Sequence, residues 1–344
     1  MAGGRGRTRK FWEDFSDEEL LDLRFCELKL SLESGPLAPA VERLQGELVD
    51  KGVAFRPHVW ISSEWFSPDG VAGVAVPFFL AHPRLTALER RQMSYVEGGT
   101  PAECMRLLRH EAGHAIDTAY GFFRRARYRA LFGRTRSPYN SYYSPRPSSK
   151  AHVHNLARWY AQSHPSEDFA ETFAVWLNPQ SRWRHRYRGK AALDKLHYVD
   201  ELMLEVGSRA PRRVIRERVE SLPQLTETLS EHYVLKRRHY SFGRAKFYDP
   251  ALVKLFPPPR PYTRAERASV FMTRRRTKIV ELALTKTRFD RYSVSQGLFE
   301  MVLRSRRLGL RTPSSPALGL CQETARLVLA FLERLEQGRH RLVR

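Results

Sequence analysis

Residues 100–121, TPAECMRLLRHEAGHAIDTAYG, constrain this chain more than any other stretch. Thr100 suits an N-cap, Pro101 the first helical position and Glu103 the third, while Gly121 supplies a stop. Together they predict one helix over 101–120. His110 and His114 stand four apart on it, one turn along nearly the same face, with Glu111 beside them. Two imidazoles so placed can reach one cation, and the carboxylate can take a proton from a water bound to that cation. This is the physical content of the H-E-x-x-H pattern, and it points to zinc.

Two imidazoles leave a tetrahedral site short of a ligand. A metzincin arrangement would place a third His at 120 and Gly at 117, where this chain has Tyr120 and Asp117. Asp117, one turn beyond His114, reads as a helix-face neighbour. The remaining candidates are His152, His154, His164, Glu167 and Glu171. In HPSEDFAETFAVWL, residues 164–177, Glu167 and Glu171 are again four apart on a predicted helix, whose Phe169, Phe173 and Trp176 mark the buried side. One carboxylate can ligate the ion. The other can accept the free ring N–H of a ligand His and hold its tautomer. On this reading Glu167 completes a His-His-Glu site for one Zn2+, and Glu171 supports it.

HEAGH followed by EDFAE resembles the gluzincin class of zinc peptidases, in which the first acid of the second helix is the ligand and an acid one turn later supports the site. RHEAGHAIDTAY, SYYSPRPSS and WYAQSHPSEDFAETFAVWL together resemble, more closely, a bacterial family of zinc-binding metallopeptidases, with similarity running from about Phe11 into the basic C-terminal helices. The resemblance implies zinc-dependent hydrolysis of peptide bonds, with Glu111 as general base. It also implies an α+β fold: a zincin-like catalytic core (small mixed sheet plus active-site helix) followed by a mainly helical basic C-terminal region. Such a reaction needs an oxyanion donor. Tyr160 precedes Glu167 by seven residues, a spacing that resembles that of a catalytic tyrosine in the gluzincin class; Tyr142, Tyr143 and His164 compete for the role.

FRPHVWISSEW (55–65) and VAGVAVPFFLA (71–81) read as strands separated by the turn sequence SPDG. Pro77 cannot donate to a ladder, so the second strand should have a free edge, open to an extended substrate. The expected organisation is an N-terminal helical segment (1–52, helices at 16–34 and 38–51), a catalytic core (53–180, further helices at 151–163 and 166–178) and the basic helical region (181–344). In that last region helices are expected near 191–206, 211–219, 222–238, 263–287, 294–306 and 316–337, with PPPRP (257–261) as a linker.

The 344 residues are 42% hydrophobic, which excludes a disordered chain, and no apolar run approaches the ~18 residues of a membrane span. The N-terminus lacks the apolar stretch of a secretory signal. Cys26, Cys104 and Cys321 form no CxxC pair, which argues against a thiolate zinc site and a disulfide framework, and the cytoplasm is the expected compartment. The net charge of +22 is uneven: residues 1–180 carry +2 and residues 181–344 carry +20. SRWRHRYRGK (181–190) interleaves Arg with aromatics, and TRRRTK (273–278) concentrates cations. The C-terminal half therefore suits an acidic partner, whether nucleic acid, anionic lipid or acidic protein. This charge also supports an alternative function, a nucleic-acid-associated regulatory protein with a structural or vestigial zinc site.

Overall fold

Helix ends in this chain are set by side chains placed next to them in sequence. Ser16 and Glu19 exchange backbone hydrogen bonds in a capping box that starts α1 (Asp17–Asp22). Thr100 accepts from the Glu103 N–H at the start of α4 (Pro101–Tyr120), and Gly121, left-handed at φ 66°, closes it with an N–H donated to Asp117 O. The computed structural model describes residues 9–33, 35–93, 95–207, 209–211, 215–239, 246–259, 265–313, 319–339 and 341–343.

Two compact units divide the chain: Met1–Ser137 with His164–His239, and Pro138–Ser163 with Tyr240–Arg344. The first holds α1, α2 (Ala38–Asp50), β1 (His58–Ser62), β2 (Gly73–Pro77), α3 (Pro83–Met93), α4, α5 (Ala126–Phe132), α6 (Pro165–Leu177), α7 (Trp183–Arg186), α8 (Ala192–Val206) and α9 (Leu229–His239). The second holds β3 (Tyr142–Tyr143), α10 (Asp249–Leu255), α11 (Ala268–Arg274), α12 (Arg276–Leu284), α13 (Arg291–Arg307), α14 (Leu320–Glu336) and β4 (Leu342–Val343), built on an apolar core that includes Leu252, Met272, Ile279, Met301, Val328 and Phe331. Helices dominate. Among the described residues, none is long and apolar enough to cross a membrane.

The sheet of the first unit is smaller than the sequence suggests. β1 and β2 pair in parallel, from His58 opposite Gly73 to Ser62 opposite Pro77, so SPDG does not close a hairpin between them. Phe66 forms an antiparallel bridge to Ala75 on the other side of β2, where the Ala75 N–H donates to Phe66 O at 2.8 Å. The edge expected to be free for a substrate is thus already occupied at Ala75. In the second unit β3 and β4 form an antiparallel pair.

Other expected helices are shorter than read. The 16–34 helix ends at Asp22 because Arg24 bridges Thr228 and the Phe25 N–H donates to Glu227 O. Residues 151–163 give only a 3-10 stretch, Ala157–Gln162, interrupted by left-handed Arg158 and Trp159. Of the expected 211–219 helix, residues 212–214 lie outside the described residues and 215–218 are irregular. Residues 222–238 begin as a 3-10 turn at Leu222–Gln224 before α9 starts at Leu229.

Packing inside the first unit positions the helices that matter. Arg109 of α4 makes two 2.6 Å hydrogen bonds to the carboxylate of Glu47 on α2, with both side chains buried. α4 and α6 share the most extensive helix contact, and Gly113 is the reason they can approach. A Cβ there would meet the Ala170 Cα at 2.8 Å and its carbonyl oxygen at 3.1 Å.

Candidate metal centre

α4 carries His110, Glu111 and His114, and α6 carries Glu167 and Glu171. The second helix is started by Pro165 and by His164, whose Nδ1 accepts from the Ser166 N–H while its other ring nitrogen lies 3.0 Å from Ser137 O. The close helix contact at Gly113 then brings the two pairs together.

His110 Nε2, His114 Nε2 and Glu167 Oε2 form a nearly equilateral triangle. The His110–Glu167 edge is 3.0 Å, the His114–Glu167 edge 3.1 Å and the His110–His114 edge 3.2 Å. Ligand atoms ~2.1 Å from a tetrahedral ion lie about 3.4 Å apart, so one small cation fits this triangle with a fourth position left over. The set is two imidazole nitrogens and one carboxylate oxygen, a donor combination that zinc accepts. His110 and Glu167 are buried, while the His114 side chain keeps 18% exposure and so leaves the group reachable from solvent.

The His110 Nδ1–H donates to Glu171 Oε1 at 2.9 Å. That bond leaves the Nε2 lone pair turned towards the triangle, the tautomer a metal requires. Burial opposes charge on His110, but the hydrogen bonds to Glu167 and Glu171 outweigh it and raise its pKa well above the ordinary value. Burial likewise works against the Glu167 carboxylate, yet the two imidazoles hold its pKa well below the usual range. For Glu111, burial is the largest influence and raises the pKa against the opposing pull of His110 and His114.

The triangle is drawn from the first unit, and the other residues read from the sequence have surroundings of their own. Tyr160 belongs to the second unit, partly buried against its apolar core, with its ring edge-on to Tyr143 at 6.4 Å. Tyr143 donates its hydroxyl to Arg158 O, and Tyr142 is exposed. His152 contacts Ser149, and His154 stacks on Tyr292 at 3.9 Å; both also belong to the second unit. Asp117 caps the turn after α4 through the Phe123 N–H and accepts from the Tyr128 hydroxyl. Trp183 and Tyr187, the aromatics of SRWRHRYRGK, are buried core residues.

Two further acids, Asp168 and Glu97, feel the charges of the site carboxylates Glu171 and Glu111. Asp168 pairs with buried Lys195 of α8 at 2.5 Å. Burial pushes the Glu97 carboxyl up to about 7 against the pull of Lys236, helped by the charges of Glu64, Glu111 and Glu89. Nothing in the local sequence YVEGGT marks Glu97 as half-buried.

A His-His-Glu triangle of tetrahedral dimensions, drawn from an H-E-x-x-H helix and a second helix, defines a candidate zinc site. The comparisons agree. Residues 104–252 match the family described as "Putative zinc-binding metallo-peptidase", and the matched span contains every residue of the triangle. The metallopeptidase resemblance read from the sequence therefore holds, over a narrower span than Phe11 onward. No curated protein and no solved structure matches the chain.

Proposed function

We propose that this protein is a zinc-dependent metallopeptidase with a zincin-like core, working in the cytoplasm. His110, His114 and Glu167 would hold one Zn2+, which when bound lowers the pKa of a water and polarises a peptide carbonyl. Glu171 fixes the ring orientation and tautomer of His110. Glu111, kept basic by burial, accepts the proton released as water attacks the peptide carbon and delivers it to the leaving amine. Tyr160 is assigned the hydrogen bond to the oxyanion on its sequence spacing from Glu167, with Tyr142, Tyr143 and His164 as competitors.

The observation that carries this reading is the triangle with edges of 3.0, 3.1 and 3.2 Å. Elemental analysis of the wild type, His110→Ala and Glu167→Ala is its first test. One zinc per wild-type chain, lost in both variants, is expected; no zinc in the wild type after reconstitution refutes it. Glu111→Gln should then retain zinc but lose cleavage of casein or a peptide library by at least a hundredfold, the scale of one acid–base catalyst. Zinc retention without any cleavage by the wild type would instead favour a structural or vestigial site.

A further inference from the structure

The second unit concentrates the charge of the chain. Pro138–Ser163 and Tyr240–Arg344 hold 25 Lys and Arg against 8 Asp and Glu, a formal +17 of the total +22. The first unit holds 34 against 29. An arginine-rich composition alone would not remove acids from one unit and leave them in the other. Stability does not call for the excess either, since like charges repel across a compact fold.

The junction of α11 and α12 shows where this charge faces solvent. Every residue of Thr273–Lys278 is exposed. Arg274 pairs with Glu266 at 2.8 Å, whereas Arg275, Arg276 and Lys278 make no ion pair among the described residues, and neither do exposed Lys286 and Arg288 just beyond α12. Arg276 and Lys278 lie in the first turn of α12, where the helix dipole favours acids, and that turn has none. The cations sit there at the expense of helix stability.

Beneath them the helix is firmly held, with Ile279, Val280 and Ala283 buried and α12 packed on α13 and α14. A rise of ~1.5 Å per residue puts the two cation groups on the order of 12 Å apart, enough to meet separate phosphates of one backbone. The α11–α12 segment exposes Val270 but no aromatic ring. Single-strand binders stack bases on exposed rings; cations alone suit the phosphates of a duplex. SRWRHRYRGK offers no competing platform, because its Trp183 and Tyr187 are buried.

We propose that the exposed cations of the α11–α12 junction, α12 and the following loop, Arg275, Arg276, Lys278, Lys286 and Arg288, bind the phosphate backbone of double-stranded nucleic acid without regard to sequence. The test uses the full chain and fluorescence anisotropy with a labelled mixed-sequence DNA duplex of about 24 base pairs over a salt series. Micromolar binding at ~50 mM salt is expected, with log affinity falling linearly in log salt. Arg275→Glu/Arg276→Glu/Lys278→Glu should weaken binding at least tenfold and flatten the salt slope by roughly 3, the loss of three phosphate contacts. The matching triple Gln variant should fall between, and Arg186→Glu/Arg188→Glu in the first unit should bind as the wild type does. Zinc content and far-UV circular dichroism check that each variant is folded. Absence of salt-dependent binding, or binding unchanged by the triple reversal, overturns the proposal. So does displacement of the duplex by polyglutamate or phosphatidylserine vesicles at equal charge, which would assign the surface to an acidic protein or a membrane. An RNA duplex bound as well as DNA fits a reader of backbone charge.

Discussion

Replacing Gly113 by alanine sets two effects of opposite sign against each other. In an unencumbered helix interior the change stabilises by about 0.8–1 kcal/mol. Here the new Cβ would stand 2.8 Å from the Ala170 Cα, 3.1 Å from its carbonyl oxygen and 3.2 Å from the Phe173 Cβ. Non-bonded carbons rest at about 3.5–4.0 Å, so α4 and α6 must part by roughly 0.7 Å or more. The obstacle is backbone and cannot rotate aside. Overpacking of this kind costs about 1–3 kcal/mol, which leaves a net destabilisation of up to ~2 kcal/mol. The parting also acts on the triangle unevenly. Both edges to Glu167 lengthen, because they cross from α4 to α6, while the His110–His114 edge lies within α4 and keeps its 3.2 Å. A displacement beyond about 0.5 Å spoils a metal geometry, and zinc affinity should drop roughly tenfold. Thermal unfolding of the zinc-free protein and chelator competition with the zinc-loaded protein measure the two effects separately. A Gly113→Ala protein that melts at or above the wild-type temperature and binds zinc equally well would refute the close-approach argument.

Two further predictions concern the carboxylates around the site. Glu171→Ala removes the acceptor of the His110 Nδ1–H and should weaken zinc 10–100-fold, about 1.4–2.7 kcal/mol, while Glu171→Gln, which keeps an acceptor oxygen, recovers part of the loss; equal affinity in all three proteins by chelator competition would sink the role assigned to Glu171. Glu97 has its pKa raised from 4.5 to about 7, so the folded state holds the proton more tightly than the unfolded chain does. The stabilisation is full below the unfolded value and is lost as pH rises towards about 7, amounting to at most ~3 kcal/mol. Glu97→Gln should therefore melt close to the wild type near pH 4 and above it near pH 8; a difference that does not vary with pH contradicts burial of the charged carboxylate.

The two helices of the candidate metal site were legible because their signals are local. Thr100, Pro101, Glu103 and Gly121 bound α4 within its own sequence, and Pro165 and Asn178 do the same for α6. Residues four apart must share a helix face, so each pair could be read before anything was known of its partner. Features that depend on remote segments could not be read this way. The parallel register of β1 on β2 is set by packing, and alternation within either strand is silent about direction. The break after Asp22 follows from hydrogen bonds to residues 225–228, some two hundred positions away. Lys236 of α9 pairs with Glu64 and Glu89, acids far away in sequence, and nothing around it in the chain announces those partners. α3 and α5 were absent from the reading altogether, although Pro83 stands at the first position of α3 as a start signal. The alternation of Arg with aromatics in SRWRHRYRGK was visible, but only burial shows that its rings face the core.

Chain topology at His164 has a consequence for how the protein tolerates rearrangement. Between Ser137 and His164 the backbone leaves the first unit, contributes Pro138–Ser163 to the second, and returns. The ring of His164 reaches the carbonyl of Ser137 at 3.0 Å, so the excursion departs and comes back at one closed stem, directly ahead of the helix that carries Glu167. For a loop closed at its base, the entropy of closure grows only with the logarithm of its length. A change in the length of this detour therefore costs the closure of the stem little. The two helices of the candidate metal site thus keep their register on either side of a closed stem, whatever the length of chain that leaves it.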